Sequence, residues 1–237
     1  MIIYHGSDHI VDKPMFGEGK KDNDYGSGFY TTLDKEKADE WALANGGIHA
    51  VCNIYELHTD GLNFLNLDDF GPLAWVAELI SNRGTREEIS KIIGERIAEI
   101  YKIDTSDADI IIGYRADASY TDIIDAFLKN KVSIDEVSRL FKKGNWGEQI
   151  FIKSEKAFKA LNFKGYERIK RQSFLNENEV KARREVTKFL NNRDVAIQVN
   201  NFQPNGILAK NAINNLYTYN SEYGYYELLR KLEIEGR

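Results

Sequence analysis

The sequence has little of what membrane-spanning, disulfide-bonded or nucleic-acid-coating proteins need. Its 237 residues include one cysteine, Cys52, so no intramolecular disulfide can form and a reducing compartment is expected. No apolar stretch approaches the length of a membrane-spanning helix, and the N-terminus lacks the basic and apolar segments of a secretory signal. A net charge of −5 is unlike that of a protein that coats nucleic acid. These absences predict a cytoplasmic protein, with export that needs no cleaved signal left open.

What is present is typical of a globular protein, with 42% hydrophobic and 29% charged residues. Strand-like runs near both ends flank helical segments in the middle, which favours an α+β fold over alternating strands and helices. Residues 164–188 hold eight Lys or Arg against four Glu, a change in character from the preceding chain. We therefore expect a domain at residues 1–165 and a C-terminal extension of unassigned role, residues 166–237, packed on it.

Local signals place most of the elements. A polar, glycine-rich segment from residue 8 to residue 25 predicts a long loop between two short strands, and loops of that length are usually functional. Capping boxes are expected at Thr85 with Glu88 and at Ser133 with Glu136, each opening a helix. Ser154 is expected to cap a helix over EKAFKALNF. The run NNLYTYNSEYGYYELL has no clean period and receives no assignment.

The segment YHGS places His5 at the end of the first apolar strand, followed by Gly6 and Ser7. An imidazole there lies beside backbone that a ligand can approach closely, because glycine has no side chain. The simpler alternative is a histidine that hydrogen-bonds within a loop. The motif is weak by itself.

The segment NDYGSGFYTT places Gly26 and Gly28 before Tyr30 at the start of a second strand. Small neighbours leave the tyrosine ring open for a flat ligand to stack on it; the alternative is a glycine-rich hairpin with a core tyrosine. The segment is not a dinucleotide-binding fingerprint, because it lacks the third glycine and the helix that should follow.

The segment WGEQIFIKS puts Glu148 and Gln149 side by side at the start of a late strand. Adjacent strand residues point to opposite faces, so only one of the two can face a given cleft. We prefer Gln149, because Phe151 then shares its face while two isoleucines, Ile150 and Ile152, line the core face. A solvated strand end is the alternative.

In this order, the three segments resemble the signature segments of the ADP-ribosyltransferase superfamily. The chain looks most like the branch with a His-Tyr-Glu triad, shared by diphtheria-toxin-like enzymes and poly(ADP-ribose) polymerases. YHGS, DYGSGFYTT, ADIIIGYRAD and EQIFIKSEKAFKAL resemble, more closely still, a bacterial family catalogued as a domain of unknown function and grouped with those transferases. The resemblance covers residues 2–163. It implies a split pair of small antiparallel sheets with helices around an NAD cleft.

The resemblance also implies roles for the motif residues. His5 would hydrogen-bond the adenosine-side ribose, the Gly6 backbone would hold the nicotinamide carboxamide, and Tyr30 would stack on the nicotinamide ring. Gln149 or Glu148 would accept from the ribose 2′-hydroxyl. Further contacts to NAD are expected from Ser7, Asp24, Gly28, Thr31, Arg115 and Asp117. For Asp24, Arg115 and Asp117, a turn stabilised by Asp and Arg is an equal alternative.

Two other groups of residues were candidates for a function. His49, Cys52 and His58 are close in sequence, but strand alternation lets only Cys52 and His58 share a face, and structural zinc usually needs four ligands, so no metal is expected. The basic stretch Lys164–Lys188, with Phe163, Tyr166 and Phe174 interleaved, suits either a nucleic-acid acceptor or, more simply, a solvated helix face with its connector.

The resemblance implies a mono-ADP-ribosyltransferase that consumes NAD and releases nicotinamide. Such a protein would act as a bacterial or phage toxin, effector or defence factor on a host protein or nucleic acid, with an antitoxin or regulator as a possible partner. A glutamine at position 149 disfavours chain elongation and transfer to arginine. Two alternatives stay open: an inactive module of the same fold that binds a nucleotide or partner, and an NAD glycohydrolase.

Overall fold

A computed structural model describes residues 1–85, 87–116, 120–143, 147–170 and 177–214 of the chain. The fold is α+β, as expected, and the chain forms two compact units. The sheet unit comprises Met1–Asp69, Asp104–Arg115 and Trp146–Val180, and the helical unit comprises Phe70–Ile103, Ala116–Asn145 and Lys181–Arg237. Both units draw on residues before position 165.

The described residues form seven strands in two sheets. The strands are β1 Ile2–Ser7, β2 Phe29–Thr31, β3 Val51–Leu57, β4 Phe64–Asn66, β5 Ile110–Tyr114, β6 Glu148–Ile152 and β7 Leu161–Arg168. The first sheet has the order β1-β3-β7 and is antiparallel; the second has the order β2-β6-β5-β4. The expectation of two antiparallel sheets is wrong for the second, where β4 and β5 run parallel. The long connection from Asn66 to Ile110 makes this pairing possible, because parallel strands need a crossover.

In the described part of the sheet unit there are two α-helices, α1 Lys35–Gly46 and α6 Glu155–Lys159. The helical unit contains α2 Pro72–Arg83, α3 Glu88–Tyr101, α4 Tyr120–Leu128, α5 Ile134–Lys143, α7 Glu177–Asn200 from Lys181 onward, and α8 Ala209–Asn214. Among the described residues, no helix combines the length and apolar character needed to cross a bilayer. Most of the run left without an assignment lies outside the described residues, from position 215 onward.

The core of the sheet unit joins the two sheets. Ile3, Tyr55 and Leu57 come from the first sheet, and Phe29, Ile110, Ile150 and Ile152 come from the second; all seven are buried in one cluster. Along β6 the side chains alternate, so the residues between the isoleucines lie on the opposite face of the sheet. That second face carries Phe151 and Gln149, together with Tyr30 of β2, which pairs with Phe151.

The helix caps confirm two sequence predictions and correct one. Ser133 and Glu136 form the expected capping box: the Ser133 N–H donates to Glu136 Oε2 at 2.9 Å, and the Glu136 N–H donates to Ser133 Oγ at 3.4 Å. Ser154 Oγ accepts from the Ala157 N–H at 3.0 Å. The Thr85–Glu88 box is wrong, because α3 begins at Glu88 itself and the buried Thr85 hydroxyl bonds none of the described residues. Glu88 is then the first helical residue instead of the third.

The segment EKAFKALNF is only half helical, because α6 ends at Lys159 and β7 begins at Leu161. Leu161 and Phe163 alternate towards the core while β7 pairs with β3. In sequence, Leu161 also lies three residues after Phe158, which is a helical spacing. Pairing with a strand about a hundred residues earlier decides the conformation.

Candidate active site

His5 joins the two sheets at the edge of β1. Its Nδ1 lies 2.7 Å from the main-chain oxygen of Tyr30 in β2, and its ring lies 4.4 Å from that of Phe29. A carbonyl oxygen only accepts, so Nδ1 carries the hydrogen and Nε2 is an acceptor. Burial lowers the pKa of His5 to about 4, more than the bond to Tyr30 raises it. In the described part of the chain, Nε2 has no hydrogen-bond partner.

The backbone ladder between β1 and β2 opens beside this histidine. Tyr4 and Thr32 exchange two hydrogen bonds of 2.9 Å, one from each N–H. Since backbone groups alternate along a strand, the next such pair would be Gly6 with Tyr30. The His5 ring instead bonds the Tyr30 oxygen. Among the described residues, the N–H and C=O that Gly6 directs to this edge make no hydrogen bond.

Gly6 also allows helix α1 to lie directly on β1. A Cβ at this position would be 2.0 Å from the Ala38 main-chain oxygen and 2.7 Å from the Ala42 nitrogen. Such distances are sterically impossible, so only glycine fits there without a shift of the helix. The missing side chain therefore serves the packing of α1, while the backbone groups of Gly6 face the opened edge.

Tyr30 is held by the turn that precedes it. Its hydroxyl donates to the Gly26 oxygen at 2.7 Å and accepts from the Tyr25 N–H at 3.0 Å. Its ring lies 4.8 Å from Phe151, and a Cβ at Gly28 would be 2.3 Å from the Phe151 ring. Gly26 has φ +83°, a conformation that favours glycine. The glycine spacing thus permits both the turn and the contact between β2 and β6.

Gln149 and Glu148 occupy different environments on β6. Glu148 is exposed, whereas Gln149 is 3% exposed and lies on the same face as Phe151. Gln149 Nε2 donates to Asp24 Oδ2 at 2.5 Å, and Asp24 is 6% exposed. The buried face of the second sheet therefore brings together Tyr30, Gln149 and a carboxylate from the loop before β2.

The other predicted contact residues have polar groups that are partly engaged, and Thr31 lies on the core face of β2 because it pairs with Ile150. The Ser7 hydroxyl donates to the His9 oxygen, and the fully buried Thr31 donates its hydroxyl to the Ile150 oxygen at 2.8 Å. The Arg115 guanidinium lies 4.9 Å from the ring centre of Trp41. Asp117 lies outside the described residues.

Sequence reasoning missed two residues that shape the site. Asn53 is fully buried opposite His5; it donates to Ser7 Oγ at 2.9 Å and accepts from the Val11 N–H, which fixes the start of the long loop. Gly113 lies opposite Gln149, and a Cβ there would be 2.4 Å from the Tyr25 hydroxyl. A lone Asn within the apolar strand VCNIYEL was the available signal for the first; nothing in the sequence marked the second.

Two further sequence hypotheses concern residues away from this face. Cys52 is fully buried, and burial raises the pKa of its thiol to about 12, so it is protonated at neutral pH and a poor metal ligand. In the basic stretch, Lys164 pairs with Glu56 and Arg168 lies over the Tyr166 ring. Phe174 lies outside the described residues, and the nucleic-acid role of the stretch stays a prediction.

Comparison with known proteins places the chain in a family. The model of the family described as "Protein of unknown function (DUF3990)" matches residues 1–163, which include both the sheet-edge histidine and Gln149. No curated protein and no solved structure gave a significant match. The matched region is more than half of the chain. The chain therefore belongs to the DUF3990 family of proteins of unknown function.

Proposed function

We propose that this protein is an NAD-dependent mono-ADP-ribosyltransferase that acts on a macromolecular acceptor as a toxin or effector. The observation that supports this best is the opened ladder between β1 and β2. Among the described residues, the N–H and C=O of Gly6 lie unpaired at that edge, beside a neutral His5 and next to Tyr30. A carboxamide needs one donor for its oxygen and one acceptor for its nitrogen, and one glycine backbone supplies both.

His5 suits the adenosine-side ribose of NAD, and Tyr30 suits the nicotinamide ring next to the scissile bond. With Nδ1 donating to Tyr30, His5 offers Nε2 as an acceptor for a ribose hydroxyl. The Tyr30 ring is half-buried, with its hydroxyl fixed by the turn, so it offers a preorganised surface for the nicotinamide ring. A stacked aromatic pair is worth about 1 kcal/mol beyond the area that it buries.

The reaction breaks the bond between nicotinamide nitrogen and ribose carbon. The electron pair leaves with nicotinamide and neutralises its positive charge, while the ribose becomes an oxocarbenium-like cation. A nucleophile of the acceptor then bonds to the same carbon and loses its proton to solvent. Electron density placed beforehand near the ribose 2′-hydroxyl stabilises the cation, and the Gln149 oxygen is the group that we assign to this task.

Release of nicotinamide from NAD tests the proposal, with a labelled adenylate moiety used to follow transfer to an acceptor in a cell extract. His5→Ala and Tyr30→Ala should each lower release about 100-fold, the scale seen when one group of a preorganised site is removed. The exposed His49→Ala is the matched control, and Tyr30→Phe, which keeps the ring, should retain more activity than Tyr30→Ala.

Three outcomes would contradict the proposal. Full turnover in the His5 and Tyr30 variants would show that these residues are not the site. Saturable NAD binding with no nicotinamide release over hours would indicate a binding module instead. Release of nicotinamide with free ADP-ribose as the sole product, in the presence of the extract, would indicate a glycohydrolase.

A further inference from the structure

The buried pair of Asp24 and Gln149 joins two segments that are 125 positions apart in sequence. Asp24 lies in the turn before β2 and Gln149 lies on β6, and neither is more than 6% exposed. Gln149 Nε2 donates to Asp24 Oδ2 across 2.5 Å, and an ionised acceptor makes such a hydrogen bond charge-assisted. A buried carboxylate is costly unless it is hydrogen-bonded, and the Gln149 amide supplies one such bond.

The carboxylate fixes which way the glutamine amide points. A carboxylate only accepts hydrogen bonds, so the NH₂ group of Gln149 must face Asp24 and its carbonyl oxygen must point elsewhere. That oxygen bonds none of the described residues. The oxygen is therefore the part of Gln149 that is left to accept a hydrogen bond from a ligand.

We infer that Asp24 is the positioning residue of Gln149, and that the Asp24–Gln149 pair does the work of a single catalytic carboxylate. The inference rests on the proposed function, which identifies the hydroxyl that the Gln149 oxygen accepts from. The negative charge of Asp24 pulls the amide hydrogen and thereby increases the electron density on the amide oxygen, an effect strengthened where water is excluded. The full negative charge stays on Asp24, with the Gln149 amide between it and the ribose.

A glutamate at position 149 does not fit this arrangement. Two carboxylates at the observed separation cannot both be ionised, so one would take up a proton or the pair would move apart. This explains, from the chain's own geometry, why the neutral residue faces inward and the acidic neighbour Glu148 is exposed. It also predicts that Gln149→Glu lowers activity, although it adds the charge that an oxocarbenium ion would favour.

The turn that carries Asp24 is fixed by the two residues that follow the aspartate, Tyr25 and Gly26. Tyr25 donates its hydroxyl to the Tyr114 oxygen of β5, in the space left by Gly113. The Tyr25 N–H and the Gly26 oxygen hold the Tyr30 hydroxyl. One short turn thus sets the position of Tyr30 and, through Asp24, the orientation of Gln149.

A set of four proteins tests the inference: wild type, Asp24→Asn, Gln149→Glu and the double variant that exchanges the two groups. Each single variant should lower kcat for nicotinamide release about 10- to 100-fold, the range for losing a charge-assisted hydrogen bond, with less change in KM for NAD. Asp24→Asn should lower kcat because asparagine can donate hydrogen bonds as well as accept them. It therefore no longer fixes which way the Gln149 amide points. The double variant should recover to within about threefold of wild type, since the amide at position 24 then donates to a carboxylate at position 149.

Controls separate this role from a purely structural one. Thermal unfolding identifies temperatures at which every variant is folded, and kcat is compared only there, so loss of fold does not lower the measured rate. Asp22→Asn, at an exposed position of the same loop, should leave kcat unchanged. The pH dependence of kcat in the double variant should differ from that of wild type, because the ionisable carboxylate now faces the ribose itself.

The outcomes distinguish this inference from the proposed function. Wild-type turnover together with a fully active Asp24→Asn or Gln149→Glu would overturn the role of Asp24 and leave the proposed function standing. Additive losses in the double variant would also overturn it. If wild type releases no nicotinamide, the proposed function itself fails, and the inference fails with it.

Discussion

The imidazole of His5 takes the Tyr30 main-chain oxygen that the Gly6 N–H would otherwise bond if the ladder between β1 and β2 continued. One side chain thus ends the pairing of two strands and leaves a glycine backbone open at the point where the two sheets separate. The same hydrogen bond fixes the tautomer of the ring. The position of the opening therefore depends on one residue.

His5 makes the stability of the protein depend on pH. The folded ring has a pKa of about 4, and the unfolded ring has the ordinary value of 6.5, so the unfolded chain binds more protons between these values. Stability is therefore complete above pH 6.5 and is lost as the pH falls towards 4. Allowing for the partly exposed residue, we expect a loss of about 2 kcal/mol.

Urea unfolding of wild type and His5→Asn across this window measures the effect. Asparagine keeps a donor near the Nδ1 position but does not titrate. The difference in the free energy of unfolding between wild type and His5→Asn should therefore change with pH between 6.5 and 4. His49→Asn, at an exposed site, is the control. Parallel curves for wild type and His5→Asn would show that the imidazole is not held neutral by burial.

Gly6→Ala should destabilise the protein by about 3 kcal/mol or more, because the new methyl group overlaps main-chain atoms of α1 that cannot rotate away. Gly17→Ala is the matched control: its Cβ would meet nothing within 4 Å, but its φ of +88° is strained for alanine. That strain alone should cost about 1–2 kcal/mol. Equal losses in the two variants, measured by urea unfolding, would refute the close contact between β1 and α1.

Gly113→Ala should displace the Tyr25 ring, since the added Cβ would lie 2.4 Å from its hydroxyl. The turn that holds Asp24 and Tyr30 moves with Tyr25. The loss in kcat for nicotinamide release, expressed as a free energy, should therefore exceed the loss in the free energy of unfolding. Tyr25→Phe removes the hydroxyl and makes room, so the double variant should recover part of the activity lost by Gly113→Ala. Independent, additive effects of the two changes on kcat would contradict this account of the turn.

The two capping sites in the helical unit give opposite predictions. Ser133→Ala removes the acceptor for the Glu136 N–H and should cost about 1 kcal/mol. Thr85→Val removes a buried hydroxyl that bonds no described residue and keeps the shape, so stability should be unchanged or slightly higher. Thermal unfolding of both variants is the measurement. A loss on Thr85→Val as large as that on Ser133→Ala would mean that Thr85 does cap α3.

The fold could be predicted from sequence where the signal is local. Short apolar runs bounded by glycine predicted β1 and β2 correctly. Ser133 with Glu136 correctly predicted the start of α5. The sequence predictions were wrong where pairing with a strand distant in sequence decides the conformation. Leu161 has a helical spacing after Phe158 and a strand spacing before Phe163, and it lies in a strand because β3 is available to pair with it. The parallel pairing of β4 with β5 likewise depends on a crossover that no local pattern records.

The site was predictable only in its parts. Strand alternation shows that Gln149 and Glu148 face opposite ways, but which one is buried depends on the packing of Phe151 against Tyr30. The partnership of Asp24 with Gln149 has no sequence signature, because the two are brought together only by the folded sheet. The packing role of Gly6 against α1 was hidden for the same reason.

A crystal structure of the protein with nicotinamide bound tests the central claim most directly. The account predicts that the carboxamide oxygen accepts from the Gly6 N–H, that the carboxamide nitrogen donates to the Gly6 oxygen, and that the ring stacks on Tyr30. Nicotinamide bound elsewhere, or a continuous ladder in which Gly6 pairs with Tyr30, would contradict it.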